Sequence, residues 1–244
     1  MYESQEYKRH EYERGEHGHV MNAEGAGAER RSQASRTAAT RAALVAAARR
    51  LFADHGYADV GTERIVRAAG VTRGALYHQF VDKAELFAAV LESVEQDIMA
   101  RLIAAAATAS DSPDAHPVGS LIAGADAWLD ACADTEVQQI VLVDGPAVLG
   151  WERWREIGER YGMGLVAELL NESIAAGAIP DQPVEPLAHV LVGALDEAAL
   201  YVARAADPAA ARADVRVVVH RLIEVVLTPG AAAGPPTSSP EPSG

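Results

Sequence analysis

The stretch from Val71 to Phe80, VTRGALYHQF, concentrates groups suited to recognising a polyanion. Arg73 can donate two parallel hydrogen bonds to the O6 and N7 of a guanine. Thr72, Tyr77 and His78 carry hydroxyl or ring N–H donors for phosphate oxygens, while Gly74 and Ala75 are small enough to let the backbone lie close to base edges. Lys83 follows at the expected first turn of another helix, where free backbone N–H groups also favour a phosphate. None of these residues is set up for covalent chemistry. The chain holds no GxGxxG, Walker or GxSxG pattern, and Cys132 has no motif around it, so an enzyme using the helical body is a remote alternative.

Short helices are needed to hold these groups. Leu44, Val45, Ala48, Leu51 and Phe52 recur on one face of a first helix, which Gly56 should close with a left-handed turn. Thr62 is placed to N-cap a second helix, with Glu63 in its first turn and Ile65, Val66 and Ala69 facing inward. That helix stops at Gly70. Thr72 N-caps a third, from Arg73 to about His78, with Leu76, Tyr77 and Phe80 pointing back into the cluster. Asp82 caps a fourth, with Glu85 at the reciprocal position. Two short helices joined by a tight turn containing Gly make a helix-turn-helix, whose second helix enters the major groove of DNA.

About 45 residues from Ala42 to Leu86, including LFADHGYADVGTERIVRAAGVTRGALYHQFVDKAEL, closely resemble the N-terminal domain of TetR-family transcriptional regulators. The resemblance implies a homodimeric, all-helical regulator, usually a repressor. Its binding to a palindromic operator in double-stranded DNA would be controlled by a small-molecule effector. By motif position it marks Thr62, Thr72, Tyr77, His78 and Lys83 as phosphate contacts and puts Arg73, Gly74 and Ala75 at or near base edges. Arg64 and Arg67 depart from the acidic or neutral residues of many relatives, and either add phosphate contacts or lie on an exposed face.

Overall charge argues in the opposite direction until it is resolved along the chain. The 244 residues carry 21 Lys+Arg against 35 Asp+Glu, a net −14 that speaks against nucleic acid as a partner. Residues 36–83 alone hold eight basic and four acidic side chains, whereas residues 84–244 hold eight and 24. A basic head therefore precedes an acidic body. Hydrophobic residues make up 49% but aromatics only 5%, so alanine supplies much of the apolar content and an all-α fold is expected. No uninterrupted apolar run approaches the ~18 residues of a membrane span, and the N-terminus is polar and acidic, without a secretory h-region. With a single cysteine, a reducing cytoplasm is the expected location.

Residues 1–35 hold almost no large aliphatic side chains and should form a disordered arm, in which Met21 offers a second candidate translation start. His10, His17 and His19 lie there beside glutamates, but not at zincin spacing, so neither a metal nor a cofactor is expected. Residues 36–83 form the expected helix-turn-helix domain, 84–227 a helical regulatory and dimerisation domain, and 228–244 a Pro/Gly/Ser-rich disordered tail.

In the body, Leu86, Phe87, Val90, Leu91, Val94, Ile98 and Leu102 keep helical spacing for about four turns, forming a helix that would link head to body. Residues 137–178 also look like a regulatory region found in part of the TetR family. Trp154, Ile157, Tyr161, Leu165 and Leu169 form its stripe, interrupted by Gly158, Gly162 and Gly164. Close helix packing or room for a ligand would each account for the glycines, packing being the more ordinary reason. Trp128, Trp151, Trp154 and Tyr161, with His189 and Asp196, are the candidate ligand-binding residues, because effector pockets combine apolar walls with few polar groups. Phe87, Met99, Tyr201, Asp126 and Cys132 are further candidates. Leu191, Leu195 and Ala198 on the penultimate helix, with Val219, Leu222 and Val226 on the last, form stripes that suit a four-helix dimer interface. Covering the monomer core is their other reading. A helical interaction protein whose head has lost DNA binding is the remaining alternative, against which the intact Arg73, Tyr77, His78 and Lys83 count.

Overall fold

The computed structural model describes residues 33–111 and 118–227. Among the described residues the structure is helical and holds no strand, the all-α fold that the alanine-rich composition predicts. The first helix, α1, spans 33–55 and so starts three residues inside the expected arm. The rest of that arm, with its histidines and Met21, and the 228–244 tail lie outside the described residues. Gly56 closes α1 at φ +73°, where no L side chain sits comfortably.

Helices α2 (Thr62–Ala69) and α3 (Arg73–Gln79) follow, separated by Gly70 at φ +68°. Thr62 does not cap α2. Gly61 takes the N-cap position in extended geometry, its carbonyl accepting from the amides of Arg64 and Ile65, so Thr62 becomes the first helical residue. The other caps form where expected: Thr72 Oγ1 accepts from Ala75 N at 3.2 Å, and Asp82 Oδ1 from Glu85 N at 2.8 Å. Helix α4 (Lys83–Ser110) runs 28 residues, well beyond the four turns of its apolar stripe.

Helix α5 (Gly119–Ala131) packs along α4. The next segment is broken rather than continuous. A single turn, α6 (Thr135–Val137), leads into a π-helix (Gln138–Asp144) and then α7 (Gly145–Leu149). Gly150 at φ +78° separates these from α8 (Trp151–Ala175). Helices α9 (Val184–Arg204) and α10 (Pro208–Leu227) complete the body, and Asp207 Oδ1 caps α10 by accepting from Ala209 N and Ala210 N. Among the described residues α9 alone is long and apolar enough to cross a membrane. It carries Glu185, Asp196 and Glu197 and packs against α5, α8 and α10, the environment of a core helix.

Head and body share one core. Phe52 and Tyr57 meet Phe87 of α4 with ring centroids 5.5 and 5.3 Å apart. The same buried cluster continues through Val94 and Ile98 to Trp128, Trp154 and Leu200. Arg49 of α1 strengthens the joint by donating to Glu136 at 2.8 Å and Asp97 at 2.6 Å. These carboxylates come from elements far along the chain.

Candidate nucleic-acid interface and interior cavity

Leu76 and Phe80 anchor α3 from beneath, both buried, and so turn its opposite face to solvent. Arg73 and His78 are exposed and Ala75 is half-buried. A Cβ added at Gly74 would meet only Thr72 Oγ1, at 3.9 Å, so nothing obstructs that side of the helix. Tyr77 is 45% exposed, which corrects the expectation that it points wholly inward. Its ring lies 5.6 Å from the Arg73 guanidinium, and Arg73 Nη1 also reaches Glu63 at 3.0 Å. Both partners of that ion pair are well exposed, so the pair adds little stability but holds the arginine on the surface.

Lys83 occupies a different situation from the one its spacing suggests. Its Nζ donates to the carbonyls of Tyr57 at 2.8 Å and Val60 at 3.0 Å, and lies 3.8 Å from the Tyr57 ring centroid. Burial holds its pKa below the ordinary lysine value. The side chain thus fastens the turn after α1 to the start of α4. Arg64 pairs with His55 Nε2 at 2.7 Å, while Arg67 is exposed. The first turns of α1, through Gln33, Thr37 and Thr40, form a shallow groove with Ala75, His78 and Gln79 of α3. Sequence reading missed this contribution, because the aliphatic stripe of α1 begins only at Leu44.

Inside the body, α4, α5, α8, α9 and α10 enclose an apolar cavity. Trp128 and Trp154 line it, as does Asp196, in agreement with the sequence. Met99 lines it too. Trp128 is fixed by donating its indole N–H to the Leu195 carbonyl at 3.2 Å. A Cβ at Gly158 would meet only Glu95 Oε1, at 3.9 Å, and one at Gly162 nothing within 4 Å. These glycines make room instead of allowing close helix packing. Trp151, Tyr161 and His189 are not part of the cavity wall. Trp151 is 52% exposed at the start of α8, the Tyr161 hydroxyl accepts from Gln96 Nε2 at 3.2 Å, and His189 sits 3.8 Å from Glu159 on an exposed edge. Periodicity placed them on the helix but did not say which flank would be covered. Tyr201 is likewise exposed, and Asp126 pairs with Arg216 and His220 between α5 and α10.

Glu95 is the polar residue that sequence reading missed. It lies on the inner stripe of α4 between Leu91 and Met99, and this acid among apolar positions was the available signal. Burial, with Asp196 as a like-charged neighbour, pushes the Glu95 carboxyl up to about 7. Burial also raises Asp196 to about 6, partly opposed by Arg155, whose Nη1 is 3.7 Å away. The buried Cys132 thiol is held well above its ordinary value, first by desolvation and then by these two carboxyls.

The expected dimer stripe faces inward. Leu191, Leu195, Val219 and Leu222 line the cavity, while Ala198 and Val226 pack against the core. Both helices are apolar on two faces, and the inner one gives the longer regular repeat. The outer faces display Val190 and Tyr201 on α9 and Val217, Val218 and Val225 on α10, all at least half exposed.

Two family models match this chain. One, described as bacterial regulatory proteins of the tetR family, covers residues 44–90, and a tetracyclin repressor-like C-terminal domain covers residues 118–226. The crystal structure of a TetR-family transcriptional regulator from Pectobacterium atrosepticum superposes with a TM-score of 0.69 and 31% identity, covering 80% of this chain and 97% of that one. The chain belongs to the TetR family. TetR-family members are non-enzymatic, DNA-binding transcription regulators, and α2 with α3 is the helix-turn-helix of this one. The head is also similar to the transcriptional regulator AcrR of Shigella flexneri, 45% identical over 49 residues, or 20% of this chain and 23% of that protein. It is 48% identical over 42 residues to the transcriptional repressor AcnR of Corynebacterium efficiens, 17% of this chain and 22% of that one. The matched stretch thus spans under a quarter of either curated relative.

Proposed function

We propose that this TetR-family protein is a cytoplasmic repressor that binds a palindromic operator as a homodimer and releases it on binding a small molecule. The observation that carries the reading is the continuity between cavity and head. Val141 of the π-helix lines the cavity, and Asp144 at its end accepts from Tyr57 N at 2.8 Å. Gln139, two residues before Val141, packs on Gly56. A molecule that displaced the cavity wall would therefore move the α1–α2 turn, both along α4 and through this second path. By linkage, effector and DNA weaken each other by the same factor, and a coupling of about 1–3 kcal/mol suffices.

On DNA, α3 of each protomer would enter successive major grooves about 34–36 Å apart. Arg73 would read a base, with Gly74 and Ala75 allowing close approach. Thr62, Thr72, Tyr77 and His78 would contact phosphates, joined by Thr37 and Thr40. Lys83 would contribute chiefly by holding the head in position. The outer faces of α9 and α10 supply the proposed dimer contact, in place of the inward stripe. Tyr201→Arg combined with Val218→Arg should then yield monomers in sizing experiments, and a persistent dimer would reject that face.

A gel shift against the DNA flanking the protein's own gene tests the central reading. A shift on a palindromic fragment, lost on adding candidate metabolites, is expected. Absence of binding to every palindrome there would favour an interaction protein built on the same fold.

A further inference from the structure

The cavity contains more carboxyl groups than the protein answers. Glu95 is 6% exposed, its Oε1 faces the space left by Gly158, and no hydrogen bond or ion pair reaches it among the described residues. Asp196 shares Arg155 with Glu159, and Glu159 holds it more closely, at 2.8 Å against 3.7 Å. Two carboxyls therefore face one guanidinium that is already engaged. A buried carboxylate without a partner is costly, and nothing in the packing of α4 requires an acid at this position. The rest of the wall is apolar apart from the two indoles, and an indole face attracts a cation.

We infer that the cavity takes a lipophilic ammonium compound, with its charged nitrogen between Glu95 and Asp196 and its apolar body against Leu121, Leu165, Leu169 and Leu222. This inference rests on the reading of the cavity as the effector site and adds the chemical class. An anion would compete with Glu159 and Asp196 for the already engaged Arg155 and would oppose ionisation of Glu95, and a neutral apolar molecule would leave Glu95 unanswered.

The protonation behaviour agrees with the geometry. The titratable and charged groups around Glu95 among the described residues are Asp196 on α9, Cys132 at the end of α5 and Arg155 on α8, and Arg155 alone is positive. Glu159 acts on Asp196 and Arg155. Glu95 and Asp196 remain protonated up to about 7 and 6. A bound cation draws both carboxyls towards ionisation and expels protons. Affinity should accordingly rise as pH increases through that interval and fall on acidification.

Calorimetric titration of the full chain with phenylbutylamine, phenylbutanol and phenylbutyrate tests the inference on one carbon frame with three head groups. The amine should bind at least about tenfold more tightly than the alcohol, and the carboxylate most weakly. Glu95→Gln, and independently Asp196→Asn, should remove most of the preference while leaving alcohol binding in place. Equal binding of amine and alcohol, tighter binding of the carboxylate, a preference retained in both variants, or failure of all three probes would each overturn the proposal. A gel shift on the same samples separates this outcome from that of the regulatory reading. Amine binding that leaves a DNA complex intact supports the cation site and counts against effector control. Release of DNA by a metabolite, in a protein that ignores the amine, does the reverse.

Discussion

The head and the cavity solve recognition in opposite ways. The head displays Arg73, Tyr77 and His78 on the outside of one short helix, held by Leu76 and Phe80 from below, with Thr62 of α2 and Thr37 and Thr40 of α1 earlier in the chain. The cavity gathers its polar groups from Glu95 on α4, Arg155 on α8 and Asp196 on α9, positions separated by a hundred residues of chain. The head presents exposed positive charge to a target that is the same polyanion everywhere. The cavity buries two carboxyl groups, at a cost to stability, among apolar walls. The two sites are nonetheless parts of one packed core, so neither should be altered entirely without the other.

The largest expected effect lies at their junction. Phe87→Ala removes a fully buried ring between Phe52 and Tyr57 and should cost about 3–5 kcal/mol in thermal or denaturant unfolding. A single, earlier transition is expected, and two separate transitions would show that head and body fold independently. Glu95→Gln acts on the cavity alone and should stabilise the unliganded protein. Because the folded pKa of Glu95 is raised from 4.5 to about 7, its stabilising contribution is present below about 4.5 and lost as pH rises through 7. The variant should gain at most about 3 kcal/mol well above pH 7 and nothing near 4.5. Equal gains at both ends would mean that ionisation is not the cause.

Arg73→Ala tests the head alone. It should weaken operator binding by about 1–3 kcal/mol and relax preference at one base per half-site, without moving the unfolding midpoint. Equal loss on every DNA sequence would remove Arg73 from base reading. Glu63→Gln should have the smallest effect, releasing Arg73 from its exposed partner and slightly tightening DNA binding. Weaker binding would instead mean that Glu63 aims the arginine.

Legibility in the sequence followed the same division. Helix ends written in capping and left-handed residues, such as Gly56, Gly70, Thr72 and Asp82, formed where local chemistry put them. Thr62 is the exception, because Gly61 before it satisfied the same backbone groups. The exposed donors of α3 were readable because they lie on consecutive turns of one element. The wall of the cavity was only half readable. A tryptophan at helical spacing can face inward, as Trp154 does, or outward, as Trp151 does, and tertiary packing decides between them. The same ambiguity holds on α9 and α10, where Leu191, Leu195, Val219 and Leu222 line the cavity while a second apolar face lies outside. The partners of Lys83 and Arg49 were not readable at all, since they are carbonyls and carboxylates contributed by distant segments.

The π-helix from Gln138 to Asp144 sets a phase relation that a plain α-helix of the same length would not. Its hydrogen bonds span five residues instead of four, so each turn carries more residues than the 3.6 of an α-helix. Val141 can thereby face the cavity while Gln139 and Asp144 face Gly56 and Tyr57. Rewinding the same seven residues as an ordinary α-helix would rotate its two ends by about 100° relative to each other. Wall and head contact would then fall out of step, although every helix on either side kept its own sequence. The phase between cavity wall and head contact is thus carried in helical winding as well as in residue type.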